Sequence, residues 1–330
     1  MLFRRLAVVS AVGVVLPIAL GGVVRATGSG DACPDWPRCF GRWIPPSNYQ
    51  AILEYSHRLS AAVSGLLLLA LAIVLLKDRA LRSSKSLVVP AVVAFVLLIV
   101  QSYLGKLVVE RSLSPGLVTV HLATALTLAA TVTIAAVNAF FAGSQRPEPA
   151  GDTDTFGARA TTPGASSIRE PAATSEAALE DGTTYPVPEG KVFGLGLAAV
   201  ASIAVVVLVG AYLRAESASL AFLDWPLMGG RIIPVMTTEP ERVHFAHRLL
   251  VAIGLVPVIW YAVALTRAKP RIVPAMGLAH SAATFYVVEV ALGAANVLTR
   301  LDAWARAGHV IFASAALMTA VASVTYVANS

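Results

Sequence analysis

Residues 51–76 read AILEYSHRLSAAVSGLLLLALAIVLL. The stretch is long enough to cross a bilayer, which takes about 20 apolar residues in a helix. Polar and apolar positions do not alternate along it, so it reads as a helix rather than a barrel strand. Its acidic and basic groups, Glu54, His57 and Arg58, are gathered near one end. Ionisable groups inside a spanning helix are costly, and they usually line a site.

Working outward, seven further apolar runs have similar length: Leu6–Val24, Leu87–Val109, Leu117–Phe141, Val192–Leu213, Val243–Leu265, Ile272–Leu298 and Ala307–Val327. The chain is 57% hydrophobic and 13% charged. That charged share is about half of what soluble domains carry. So few charges cannot cover a water-facing surface, which excludes a soluble globular enzyme. Two cysteines exclude a disulfide scaffold. The first run follows Arg4 and Arg5 but is too long for a signal-peptide core and lacks an A-x-A cleavage site, so it counts as a helix. The expected fold is an all-α membrane protein with eight transmembrane helices.

The runs fall into two matched sets. Arg25 and Arg214, Asp35-Trp36-Pro37 and Asp224-Trp225-Pro226, Arg42 and Arg231, and Pro45 and Pro234 all lie 189 residues apart. His57-Arg58 matches His247-Arg248 at 190, while Leu104-Gly105 matches Leu292-Gly293, and His121 matches His309, at 188. Matches at so constant an offset are the signature of internal duplication. An even number of helices per unit returns the chain to its starting side. The copies therefore share one orientation, as two parallel-repeat four-helix bundles. The expected organisation is a first repeat over residues 1–141, an acidic linker over 142–190 and a second repeat over 191–330. The linker segment is rich in Pro, Ala, Thr, Ser and Gly, lacks a core-forming pattern and should be flexible.

The net charge of +6 divides into −5 for Ala142–Gly190 and +11 for the rest. The basic remainder suits anionic membrane lipid or an acidic ligand. Nucleic acid is not indicated, because no Lys/Arg stripe with interleaved aromatics occurs. The dense basic loop Lys77–Lys85 favours the cytoplasm for that side of the membrane. Both termini and the linker would then be cytoplasmic. Cys33 and Cys39 would lie in a loop on the opposite side, able to form a disulfide if that side is oxidising.

Of six histidines, four sit at repeat-matched positions near helix starts: His57, His121, His247 and His309. One His from each of two facing helices is how a four-helix bundle holds a heme iron. That pairs His57 with His121 and His247 with His309. Structural histidines, a di-metal carboxylate site and a proton relay compete with this. The di-metal site would need Glu-x-x-His on two helices. Here Glu54-x-x-His57 fits, whereas the second copy reads His244-x-x-His247. Glu54 therefore marks the first half as the reactive one, able to take protons or stabilise a developing cation. A plain interfacial acid is the competing reading. Arg25, Arg58, Arg214 and Arg248 are candidates for binding heme propionates, against snorkelling to lipid phosphate. Glu289 matches Gln101, with either a helix-pairing or a proton-path role, and His280 has no repeat partner.

The stretch Gly21-Gly22-Val23-Val24-Arg25-Ala26-Thr27-Gly28-Ser29-Gly30, continuing through Cys33-Pro34-Asp35-Trp36-Pro37 to Cys39-Phe40-Gly41, resembles the heme A synthase family of cytochrome oxidase assembly enzymes. Glu54-x-x-His57-Arg58, Gln101-x-x-Leu104-Gly105 and the later histidines agree with that family, and the likeness covers both halves. It implies an eight-helix, internally duplicated oxidoreductase of the cell membrane. Such an enzyme oxidises the C8 methyl of heme O to a formyl group by successive hydroxylations, with water as oxygen source. By the same likeness His57 and His121 hold the substrate heme O, Glu54 serves catalysis, His247 and His309 hold a heme b, and Cys33 and Cys39 form the outer-loop pair. Heme O synthase as donor and the cytochrome oxidase assembly machinery are the implied partners, and a homo-oligomer is compatible with the pattern. The chain departs from members with two cysteine pairs, because Phe222 and Met228 stand where a second pair would be. Two other functions fit the histidines: a bis-His heme b electron carrier, and a heme transporter or chaperone.

Overall fold

The computed structural model describes residues 2–144 and 189–330. Most of the linker expectation lies outside the described residues, and its edges are helical. In chain order the elements are α1 (Leu2–Ala26), α2 (Tyr49–Lys77), the short α3 (Arg79–Arg82), α4 (Lys85–Glu110), α5 (Pro115–Ser144), α6 (Glu189–Ala215), a 3-10 turn (Ala218–Leu220), α7 (Glu239–Arg267), α8 (Val273–Leu298) and α9 (Ala303–Asn329). Among the described residues, eight of these helices are long and apolar enough to cross a membrane. The chain is a multi-pass, all-helical membrane protein.

The helices that carry Glu54 and His244 start at side-chain caps. The Asn48 side-chain oxygen Oδ1 accepts from the backbone N–H groups of Gln50 and Ala51, and Thr238 forms a capping box with Glu241 at the head of α7. Each cap satisfies donors that the first helical turn leaves unpaired.

Each half closes a ring of four helices. In the first, α1 packs on α2 and α5, and α4 bridges α2 and α5. In the second, α6 packs on α7 and α9, and α8 bridges α7 and α9. The rings meet where α1 and α5 face α6 and α9, through α1–α9, α5–α9 and α5–α6 contacts. The α1–α9 and α5–α6 contacts are the pair that a two-fold relation between the halves would exchange. The main core runs across this seam, with Val14, Ile18, Leu126 and Val132 from one side and Ile203, Tyr261, Leu317 and Val321 from the other. Large apolar side chains such as Leu66, Ile99, Val256 and Trp260 point outward, as a lipid-facing surface requires.

Two prolines inside helices, Pro17 and Pro90, are compensated by neighbouring helices. Pro17 has no N–H for the carbonyl of Gly13, and the Ser64 hydroxyl donates to that carbonyl at 2.8 Å. Pro90 likewise frees the carbonyl of Ser86, to which the Asn138 amide donates at 2.8 Å. Asn329 then donates to the Asn138 side-chain oxygen at 3.0 Å, tying the last helix to α5. In a bilayer such rescue is what makes a mid-helix proline tolerable.

Candidate functional site

The two long loops at the head of α2 and α7 share a fold. Asp35 accepts from the N–H groups of Phe40 and Gly41 at 2.6 and 2.8 Å, and Asp224 accepts from Gly229 and Gly230 at 2.9 and 2.8 Å. The Gly41 N–H, helped by that of Phe40, holds the Asp35 carboxyl below its ordinary pKa, and the Gly230 and Gly229 N–H groups do the same for Asp224. Both turns need positive φ. Gly229 and Gly230 supply it at 61° and 75°, whereas the first copy uses Phe40 at 53° before Gly41 at 70°. The left-handed region costs a non-glycine residue roughly 1–2 kcal/mol. In the first loop the neighbouring Cys39 is joined to Cys33 by a disulfide, and both are fully buried.

Beneath the first loop, Glu54 is 3% exposed. One carboxylate oxygen accepts the Cys33 N–H at 2.7 Å and the other pairs with Arg58 at 2.5 Å. The Arg58 guanidinium also donates to the carbonyls of Cys33, Asp35 and Arg38 at 3.0, 2.6 and 2.7 Å. In the second half His244, also 3% exposed, stands in for Glu54. Its Nδ1 lies 3.3 Å from the Phe222 N–H and its Nε2 accepts from Arg248 Nε at 3.0 Å. A neutral imidazole has one acceptor nitrogen, so the ring meets these two donors singly where the carboxylate meets both. Arg248 binds the carbonyls of Asp224 and Leu227, and its Nη2 has no hydrogen-bond partner among the described residues. The structure thus engages Arg58 and Arg248 with loop carbonyls. Arg25 and Arg214 meet at the seam, where Arg214 donates to the Arg25 carbonyl at 3.0 Å within electrostatic range of Arg306.

The four repeat-matched histidines come together in pairs. His57 and His121 lie within electrostatic range of each other, as do His247 and His309. Each ring rests on a glycine of a neighbouring helix. A Cβ at Gly21 would meet His57 at 3.1 Å, at Gly105 would meet His121 at 3.3 Å, at Gly210 would meet His247 at 2.9 Å, and at Gly293 would meet His309 at 3.6 Å. Sequence reasoning paired Gly105 with Gly293 but passed over Gly21 and Gly210, although these too are 189 residues apart. His57 Nδ1 sits 2.9 Å from the Pro17 carbonyl, which fixes the proton there and leaves Nε2 as the free lone pair. Nδ1 of both His121 and His247 is buried without a hydrogen-bond partner among the described residues. On the other side of the His121 ring, Nε2 is 3.2 Å from the Gln101 amide. His309 Nδ1 lies 2.6 Å from Glu289, at ion-pair distance but without hydrogen-bond alignment.

Orphaned imidazole nitrogens in dry surroundings, with glycines clearing space beside the rings, fit a flat iron macrocycle. Among the described residues no three His, Cys, Asp or Glu side chains converge as a metal-binding group, so a di-metal carboxylate site finds no ligand set there. His280 is exposed and bonds to its own helix through the Met276 carbonyl.

Residues 4–162 and 173–321 match the COX15-CtaA family model, that of cytochrome oxidase assembly proteins. The Heme A synthase of Symbiobacterium thermophilum is 30% identical over 80% of this chain and 76% of its own length. The Heme A synthase of Halalkalibacterium halodurans is 30% identical over 76% of this chain and 73% of its own length. The Heme A synthase of Shouchella clausii is 27% identical over 90% of this chain and 87% of its own length. With both halves matched and most of each relative covered, the chain belongs to the COX15-CtaA family of cytochrome oxidase assembly proteins, the family of the heme A synthases.

Proposed function

We propose that the chain is a heme A synthase that oxidises the C8 methyl of heme O to a formyl group. Heme O is held in the first half by His57 and His121, and a resident heme b in the second by His247 and His309. The observation that carries this is the fourfold setting of His against glycine, joined to the unequal pair Glu54 and His244. A plain electron carrier would not need its two halves to differ at that position.

Two hydroxylations turn the methyl into a geminal diol, which loses water to give the aldehyde. Water supplies the oxygen, and over the two oxidations four electrons and four protons leave the substrate, the electrons passing to a one-electron acceptor outside the chain. Heme b, when bound, supplies one-electron redox chemistry. The protein's own part is to fix charge and orientation. Glu54 cannot swing, because Cys33 and Arg58 hold its two oxygens. One helical turn from His57, it is a preorganised negative group for positive charge building at the substrate edge. The same engagement supports a second role, in which Glu54 clamps the disulfide loop and touches no chemistry.

The disulfide and the dense basic loop at Lys77–Lys85 support a cell-membrane orientation with both termini and the linker cytoplasmic and Cys33–Cys39 on the oxidising side. Heme O synthase would supply the substrate, and the oxidase assembly machinery would receive the product. Chromatography and mass analysis of heme extracted from cells with and without the chain test the function. Heme A should form only in its presence. Heme O persisting unchanged would leave the electron-carrier or transporter function standing.

A further inference from the structure

We infer that Glu289 is a positioning residue for His309, holding the Nδ1 side of the ring so that Nε2 is presented to the heme iron, and lowering the reduction potential of the second-half heme. This rests on the proposed ligand role of His309.

Glu289 lies well inside α8, and its side chain is 12% exposed. A carboxylate at that depth is expensive unless it is partnered. Its near partner is Nδ1 of His309 on α9, 2.6 Å away, and its second oxygen, Oε1, has no hydrogen-bond partner among the described residues. Of its other neighbours, the Tyr286 hydroxyl donates instead to the Val251 carbonyl at 2.9 Å, and the Ala313 backbone lies within reach of the carboxylate. The duplication supplies an internal control. Gln101 stands 188 residues earlier and approaches the other ring nitrogen of its histidine, Nε2 of His121, at 3.2 Å. One half therefore sets a neutral amide beside its second histidine, and the other sets a carboxylate.

A carboxylate on the far nitrogen of a ligating imidazole fixes the tautomer and raises the basicity of the ligand. A more basic ligand favours the ferric over the ferrous state. A purely structural Glu289, tying α8 to α9, would be replaced by Gln without any effect on that balance.

The test uses the full chain purified with its hemes, in a His57→Ala background so that the second-half heme is read alone. Glu289→Gln should retain a low-spin heme, shift its ferric resonance signal and raise its midpoint potential. Outer-shell partners are worth roughly 10–100-fold in metal affinity. If the lower end of that range falls on the ferric state alone, the ferric-to-ferrous ratio changes about tenfold, or ~59 mV for one electron. Glu289→Asp, with a shorter reach, should fall between Gln and the parent. It also serves as the test if the Gln variant loses its heme, since a raised potential in the Asp variant supports the inference and an unchanged one overturns it. An unchanged potential and resonance signal in a heme-loaded Glu289→Gln overturn it directly. Failure of the ligand assignment is seen separately, as a low-spin spectrum that survives His309→Ala.

Discussion

The two halves of this molecule share helix order, loop fold, two histidine positions and the arginine after the first of them, yet they differ at other polar groups near the histidines. The first half has Glu54, Gln101 and a disulfide; the second has His244, Glu289 and the pair Phe222 and Met228. Duplication explains the common frame, and under the proposed function these exchanges are what would let one frame do two jobs. In the first half the fixed carboxylate sits at the loop end of α2, paired with arginine and backbone. In the second it sits inside α8, against the histidine itself. Under the proposed function, moving the negative group would move what it acts on, from a substrate edge to an iron ligand.

The largest effect should come from the histidines, and it should be confined to one half at a time. His247→Ala or His309→Ala should remove the tightly bound b-type spectrum while heme O still binds to the first half. His57→Ala or His121→Ala should do the reverse. Absorption spectra with quantified heme per chain read the outcome. A variant in one half that empties both would show that the seam between α1, α5, α6 and α9 couples the sites, and the division into halves would fail.

Next in size is Glu54→Gln, which keeps shape and removes charge. Loss of one preorganised electrostatic contact in a dry site costs about 100- to 1000-fold in rate, or roughly 3–4 kcal/mol. Heme O should accumulate, with a hydroxylated intermediate, in a protein that keeps its hemes. His244→Ala should affect turnover much less. A normal rate of heme A formation by Glu54→Gln would reduce the carboxylate to a clamp on the disulfide loop.

Much of this was legible in the sequence, because the governing constraints there are local. Bilayer length marks each helix, and a fixed offset marks each repeat. The repeat-matched positions of the four histidines are read from the same offset. What stayed hidden depends on geometry across helices. That Pro17 turns its carbonyl to His57, and that Ser64 repairs the bond Pro17 breaks, needs the α1–α2 crossing. Glu289 and Gln101 were visible as a matched pair, but which ring nitrogen each approaches was not. That Arg58 and Arg248 also bind the loop carbonyls is visible only once the loops are folded over them.

The glycines offer a graded comparison. An added methyl at Gly210 would meet His247 at 2.9 Å, closer than real contacts allow, while one at Gly293 would meet His309 at an ordinary 3.6 Å. Overpacking a tight site costs about 1–3 kcal/mol. Gly210→Ala should therefore push the His247 ring aside, weaken heme retention on heating and broaden the low-spin spectrum. Gly293→Ala should leave both nearly unchanged. Equal tolerance at the two positions would mean that the glycines only let helices approach one another and do not shape the ring pockets.

The smallest effect concerns the loop carboxylates, and it is a matter of pH. Asp35 and Asp224 each accept two backbone N–H bonds, and those donors hold both carboxyls below the ordinary Asp value, which is about 3.9 in an unfolded chain. A depressed folded pKa means that the stabilisation is fully present above the unfolded value and disappears as pH falls through the folded one. Both loops should therefore be unaffected from neutrality down to about pH 5 and loosen below about pH 4. They should not loosen equally. The first loop stays closed by Cys33–Cys39 when its carboxylate is protonated, whereas the second has Phe222 and Met228 there and keeps no covalent tie. Amide exchange, corrected for its intrinsic pH dependence, should show protection lost around Gly229 and Gly230 before Phe40 and Gly41. Asp224→Asn should reproduce the acid behaviour at neutral pH, since a single amide oxygen replaces two carboxylate oxygens. Adding reductant to the parent protein in acid should bring the first loop to the level of the second. If the first loop opens at the same pH as the second while its disulfide is intact, the turn is governed by the carboxylate alone, and the difference between the two loops is one of sequence without consequence for their stability.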